Sequence, residues 1–301
     1  MREWVEYAAA WMAVKTLGLL PRPAARFVGA RLVSIAFFLR RPLQCTAMIN
    51  LKLAFPNASE VERRRIARGM VRQIGWLAGE FSQFPKYKRE NIERVVMLDG
   101  PENFEAGRRR GKGVIFLTGH MSAWELSSFA HALYGHALHF LVRPQANARV
   151  DQLINEYRCL SGNQPIEKNR SARVILKVLS EGGTVGILAD VNTILQEGVF
   201  VDFFGIPACT SSGLARIALR TDAAVVPGFL WWDEQRRKYR LRFEPAVELT
   251  RTGDEESDVL ANTARFTRVI EQQVRAHPEQ WLWVHKRWKT RPPGEKPVYP
   301  S

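Results

Sequence analysis

His120 and Glu125 are the two side chains whose types and spacing most directly suggest chemistry. They lie in Thr118-Gly119-His120-Met121-Ser122-Ala123-Trp124-Glu125, directly behind the apolar run Val114-Ile115-Phe116-Leu117. An imidazole titrates near neutrality, and a carboxylate accepting from one ring nitrogen fixes its tautomer and supports the charged ring. The other nitrogen is then able to take a proton from a hydroxyl, general-base help of about 10²–10⁴-fold. Backbone N–H groups at the start of the next helix could steady an oxyanion formed when that hydroxyl attacks a thioester. The same residues admit a purely local reading. Ser122 and Glu125 have the S-x-x-E spacing of a capping box, in which the carboxylate serves the backbone of its own helix. Spacing alone does not choose between the two.

These residues need elements to hold them. Residues 1–90 read as helical, with Ser59 and Glu62 capping a long run that reaches Phe84 and stops at Pro85. From about Val95, short β-branched runs alternate with helical patterns. Strands are expected at 114–117, 138–142, 185–188, 199–203 and 224–226, and helices at 122–132, around 150–157, at 174–179 and at 211–220. Residues 231–243 and 246–249 suggest an antiparallel meander at the sheet edge. A last helix carries Val259, Thr263, Phe266, Ile270 and Val274, with acidic residues in its first turn and Pro278 beyond its end. The fold class expected is α/β: a mostly parallel central sheet covered by helices on both faces, with an N-terminal helical membrane-associated segment. The division expected is a helical region 1–90, an α/β domain 91–290, and an extended or mobile proline-rich tail 291–301.

Composition narrows the partners. The 301 residues are 46% hydrophobic, which excludes general disorder. The net charge of +14, mostly from arginine, favours an anionic partner: a membrane surface, nucleic acid or a phosphorylated ligand. Nucleic acid is disfavoured because the arginines are dispersed and no binding motif appears. Three cysteines without metal-type spacing fit a reducing compartment. The apolar stretches 4–20 and 27–39 are interrupted by Glu6, Lys15 and Arg31, short of the roughly 20 apolar residues of a membrane span. They suit helices lying in the interface, with Arg22, Arg26, Arg40 and Arg41 toward anionic head groups; an ordinary buried hairpin has the same pattern.

The block Gly111 to Glu125 closely resembles the active-site block of the lipid A biosynthesis (lauroyl/myristoyl) acyltransferases, within the His-x4-Asp/Glu glycerolipid acyltransferases. Asn50-Leu51-Lys52-Leu53-Ala54-Phe55-Pro56 is similar to the family's N-terminal signature, Asp190 with Val199 to Ala208 to its third block, and Trp281 to Trp288 to its C-terminal signature. The resemblance implies transfer of a fatty acyl chain from acyl carrier protein, or coenzyme A, to a hydroxyl of a lipid A precursor or related anionic glycolipid. It implies residence at the cytoplasmic face of the bacterial inner membrane. His120 is then the base and Glu125 its partner. Arg143, with Arg158, is expected to hold a phosphate of acceptor or donor, and Asp190, at a strand end, to face the same cleft. Two departures concern the acceptor: Ser122-Ala123 stands where the family usually has Gly-Asn, and the family usually has Gln after the third-block Asp, where this chain reads Asp190-Val191-Asn192.

Phe203, Phe204 and Gly205 suit the lining of an acyl tunnel or an apolar plug in the core. Trp281, Trp283 and Trp288 suit a membrane-interface belt or core packing. Arg108 to Arg110 suit a solvated helix end or a dock for an acidic carrier. His131, His136 and His139 fall on a helix, a turn and a strand, which argues against a shared metal. No metal or cofactor is expected, and a monomer is. Acylation of another phospholipid or a mannosylated glycolipid, thioester hydrolysis, and a non-catalytic basic membrane-binding protein are the competing readings.

Overall fold

The computed structural model describes residues 1–167 and 171–300, so Ser301 of the expected tail lies outside the described residues. Helices α1 (Arg2–Leu19), α2 (Arg22–Leu39), α3 (Arg41–Ala54) and α4 (Glu60–Ser82) form the N-terminal part. Pro23 and Pro42 occupy the first turns of α2 and α3, where a missing N–H breaks no helical bond. The capping box of α4 is formed: Ser59 Oγ accepts from the Glu62 N–H at 3.2 Å, and the Glu62 carboxylate accepts from the Ser59 N–H at 2.7 Å. Helices α2 and α4 cross in backbone contact. A Cβ on Gly75 would lie 2.3 Å from Ala30 Cα, so only glycine permits this approach.

The sheet has the strand order β1-β9-β8-β2-β5-β3-β4. Its members are β1 (Val96–Asp99), β2 (Val114–Thr118), β3 (His139–Val142), β4 (Gln164–Glu167), β5 (Thr184–Leu188), β8 (Ala224–Asp233) and β9 (Lys238–Phe243). Strands β8, β2, β5, β3 and β4 are parallel, β9 returns antiparallel to β8, and β1 pairs parallel with β9. The remaining helices are α5 (Pro101–Arg109), α6 (Trp124–Leu133), α7 (Ala148–Cys159), α8 (Ser171–Ser180), α9 (Gly213–Thr221) and α10 (Glu255–Ala276). A separate hairpin, β6 (Gly198–Phe203) and β7 (Ile206–Ser211), lies against α10.

All five residues of β2 are buried, as a strand covered on both faces requires. Ile115 and Leu117 face a core built with α8, α9 and α10, together with Leu51 of α3 and Met70 of α4. Val114 and Phe116 face a second core built with α5, α6 and α7. Helix α4 contributes Met70 to the first core and Trp76 and Phe81 to the second, so it passes across the end of the sheet. Its Gln73 accepts a 3.1 Å hydrogen bond from Ser122 Oγ, just beyond β2.

The expected meander is altered. Residues 224–233 form one long strand, and residues 246–249 make a single bridge, Val225 to Val247, while β1 takes the place beside β9. Pro245 has no N–H to continue a ladder there. The tail is extended but anchored: Tyr299 is buried, and its hydroxyl donates to Asn50 Oδ1 at 2.6 Å. Asn50 in turn donates to the carbonyls of Trp283 and His285, both at 2.7 Å, which ties α3 to the C-terminal segment.

Among the described residues no single helix is long and apolar enough to cross a membrane; α2 and α3 together pass that test but are bent by 93°. The face of α2 turned away from α4 exposes Phe27, Leu32, Ile35 and Phe38, and α1 exposes Trp4, Val5 and Met12. At the other face, Glu80 is fully buried and receives Arg22 at 2.8 Å and the Tyr87 hydroxyl at 2.5 Å, which pins α2 to α4. Arg26 beside them is sandwiched between the rings of Trp76 and Trp232, at 3.5 and 4.0 Å.

Candidate active site

Parallel neighbours present their carboxyl ends together, and β2 pairs with β5 in the register Thr118 to Leu188. His120 and Asp190 each lie two residues past those partners. The imidazole Nδ1 is 2.8 Å from Asp190 Oδ1, and the His120 backbone N–H donates to Asp190 Oδ2 at 2.7 Å. Trp281 Nε1–H donates to the same Oδ2 at 2.8 Å. Gly119 makes room, since a Cβ there would be 3.0 Å from Oδ2.

Burial disfavours the charge on Asp190, but His120 and these donors outweigh it and hold its pKa down at about 2. An ionised carboxylate only accepts, so Nδ1 carries the ring proton and Nε2 carries the lone pair. Burial likewise opposes protonation of His120, yet the charge and hydrogen bond of Asp190, with a smaller contribution from Glu125, raise its pKa above the usual value. Nε2 has no hydrogen-bond partner among the described residues, and the side chain is 23% exposed. The Trp124 ring stands edge-on to the imidazole at 5.2 Å.

Glu125 is not the hydrogen-bond partner of the ring. Its carboxylate is gripped by Arg158, with Nε to Oε2 at 2.8 Å and Nη2 to Oε1 at 2.5 Å. It makes no capping box either. The N-cap of α6 is Ala123 without a side-chain cap, and Ser122 sits at φ 49°, turned toward Gln73. Arg158 is thus committed to a carboxylate, while Arg143 is exposed beyond β3.

Two cavities flank these residues. A small apolar one of about 60 Å³ lies on the α6–α7 face; Trp124, Ser127, Phe140, Val142 and the Glu125–Arg158 pair line it. A larger one of about 430 Å³ is lined by Arg143, Asn192, Thr193, His285, Lys286 and Lys289, among others. Phe203, Phe204 and Gly205 line neither. They form the tip of the β6–β7 hairpin, where Phe204 (φ 58°) and Gly205 (φ 74°) make the turn. Phe203 and Phe204 pack among Trp281, Trp283 and Trp288, so they plug the core. The three tryptophans are fully buried, which makes them core residues rather than an interface belt.

Behind the dyad, Arg287 is fully buried and donates to the Cys209 carbonyl at 3.1 Å and to Thr210 Oγ1 at 2.6 Å. It holds the β7 strand and the loop after Asp190 together; burial lowers its pKa to about 10. His131 is buried against Phe104 and Phe116 with the His136 ring 5.2 Å from its own, His136 also faces Glu105, and His139 stands apart, paired with Gln164.

The model of the bacterial lipid A biosynthesis acyltransferases matches residues 1–290. The chain belongs to this family. It is 25% identical over 297 residues to the lipid A biosynthesis palmitoleoyltransferase of Escherichia coli K12, covering 98% of this chain and 94% of that protein. It is 27% identical over 296 residues to the myristoyltransferase of the same organism, covering 97% and 90%. Identity to its lauroyltransferase is 25% over 293 residues, covering 97% and 92%. The protein is therefore an acyltransferase of lipid A biosynthesis. Within such an acyltransferase the left-handed backbone at Ser122 has a direct meaning. The family pattern usually has glycine there, which adopts that conformation without strain. The Asn50 and Trp281–Trp288 signatures acquire a structural role, because they bind each other and present Trp281 to Asp190.

Proposed function

We propose that the protein transfers a fatty acyl chain from an acyl carrier protein, or coenzyme A, thioester to a hydroxyl of a lipid A precursor, with His120 as general base. Nε2 takes the proton as the hydroxyl oxygen attacks the thioester carbonyl carbon. As the C–S bond breaks, the imidazolium returns that proton to the leaving sulfur. Asp190 is the positioning residue that fixes the tautomer and supports the imidazolium. The single observation carrying this reading is the His120–Asp190 pair with an unpartnered Nε2 beside an apolar cavity. Glu125, held by Arg158 in that cavity's wall, acts by adding its negative charge to the support of the imidazolium. Among the described residues no serine or cysteine hydrogen-bonds the imidazole, which favours direct transfer over an acyl-enzyme.

The exposed apolar faces of α1 and α2, with Arg31, Arg40 and Arg41 nearby, support docking of residues 1–90 on the cytoplasmic face of the inner membrane. Mass spectrometry of lipids from cells expressing wild type and His120→Ala tests the reading. Wild type should add one acyl mass to a lipid A precursor and folded His120→Ala none. Equal acylation by both, or a trapped acyl-protein in a quenched reaction, overturns the mechanism.

A further inference from the structure

Asp190, Val191 and Asn192 follow β5 in a row, and the C-terminal segment holds each of them. Trp281 donates to the Asp190 carboxylate at 2.8 Å, and the Asn192 N–H donates to His285 Nε2 at 2.9 Å. Between these contacts the Arg287 guanidinium reaches the Val191 carbonyl at 3.4 Å, besides its bonds to Cys209 and Thr210 of β7. A neutral side chain would serve for such bonds, and a fully buried cation is costly unless an anion offsets it. Among the described residues Asp190 has His120 as its ion-pair partner, and Arg287 has none. Burial lowers the Arg287 pKa to about 10, and the charge of Asp190 is the strongest influence in the other direction. The remaining titratable groups around the guanidinium carry no charge near neutrality. Burial lowers His285 to about 4, raises Tyr299 to about 12, and pushes the Cys209 thiol up.

We propose that Arg287 is a positioning residue of the proton-transfer pair: it clamps the loop that carries Asp190 and supplies the fixed counter-charge that keeps Asp190 an anion. The inference rests on the acyl-transfer reading, in which His120 is the base. At rest the buried charges of Asp190 and Arg287 cancel. When Nε2 takes the hydroxyl proton, the new imidazolium is matched by the tetrahedral oxyanion, so no net charge is left buried. A guanidinium suits this place because it stays ionised at full burial and its planar fork fixes it between β7 and the loop. Asp190 and Glu125 both favour the imidazolium. The Arg287 charge opposes them, so the imidazolium releases its proton more readily to the leaving sulfur.

The test compares full-length Arg287→Met, which keeps the bulk and removes the charge, with Arg287→Lys and Thr210→Val. In Arg287→Met the titration of the His120 ring, followed by NMR of histidine-labelled protein, should move to higher pH, an about tenfold gain in proton affinity. The rising limb of kcat/KM should move with it, and kcat should fall by about tenfold or more. Asp190→Asn moves that limb the other way, so the direction identifies a lost cation. Arg287→Lys keeps the charge, and Thr210→Val loosens the clamp without altering charge; both should leave the titration in place. An unchanged His120 titration in folded Arg287→Met overturns the proposal, and so does an equal shift in Thr210→Val. A shifted titration with an unmoved kinetic limb upholds Arg287 and counts instead against His120 as the base. If Arg287→Met melts below the assay temperature, the Asp190→Asn/Arg287→Met double variant decides. Removing both charges should recover much of the lost Tm, and no recovery overturns the pairing.

Discussion

Asp190 holds His120 at two points, its Oδ1 on the imidazole Nδ1 at 2.8 Å and its Oδ2 on the backbone N–H at 2.7 Å. One carboxylate thus sets both the ring's tautomer and the position of the turn that carries it. Asp190→Asn can present its amide N–H to Nδ1 and so favour the wrong tautomer. We expect kcat to fall by roughly 10²–10⁴-fold in a folded protein. Steady-state kinetics with thermal melts check this.

The same pair predicts the pH profile. The base works only when neutral, and Asp190 raises the pKa of His120. The rate kcat/KM should therefore rise with pH through a limb above the ordinary imidazole value near 6.5. In Asp190→Asn that limb should move to lower pH while the plateau drops. A limb that stays in place argues that another group is titrating.

Glu125 and Arg158 should behave as one unit. Either alanine substitution leaves a largely buried charge unpaired, costing about 3–5 kcal/mol in stability and lowering activity. The double variant should lose less than the sum of the two. Additive losses in a double-mutant cycle would count against the coupling.

His131 makes a prediction remote from the dyad. Neither of its buried ring nitrogens has a hydrogen-bond partner among the described residues, and burial holds its pKa down to about 3. Its folded pKa is depressed, so the stabilising neutral form is fully favoured above pH 6.5, and stability falls as pH drops from 6.5 toward 3. At pH 5 the loss is about 2 kcal/mol. His131→Phe should flatten that part of the stability curve, measured by denaturant unfolding at pH 7 and pH 5.

Ser122 holds φ 49° in exchange for its hydrogen bond to Gln73. Ser122→Gly should be within about 1 kcal/mol of wild type, because relief of left-handed strain offsets the lost bond. Ser122→Val keeps the strain, loses the bond, and should destabilise by about 2 kcal/mol or more. Melting of the two variants separates the effects.

Periodicity and local signals were sufficient for much of this molecule. The Ser59–Glu62 cap, the buried strand at 114–117 and the last helix are local in sequence, and each appears where its pattern placed it. His120 was legible for the same reason, as a titratable residue on the turn behind a strand. Its partner was not. Glu125 is close in sequence but faces Arg158, whereas Asp190 is 70 residues away and meets His120 only because β2 and β5 pair in parallel register. The equal offsets of His120 and Asp190 past their strands were the one signal that could have joined them. Phe203 to Gly205 and the three tryptophans show the same limit. Their apolar character was evident from sequence, but whether it lined a tunnel, met a membrane or filled the core depended on how β6, β7 and α10 pack. Local patterns express the chain's own periodicity; the carboxylate that orients the imidazole and the cations that rim the cavity come from distant segments, which only the tertiary structure brings together.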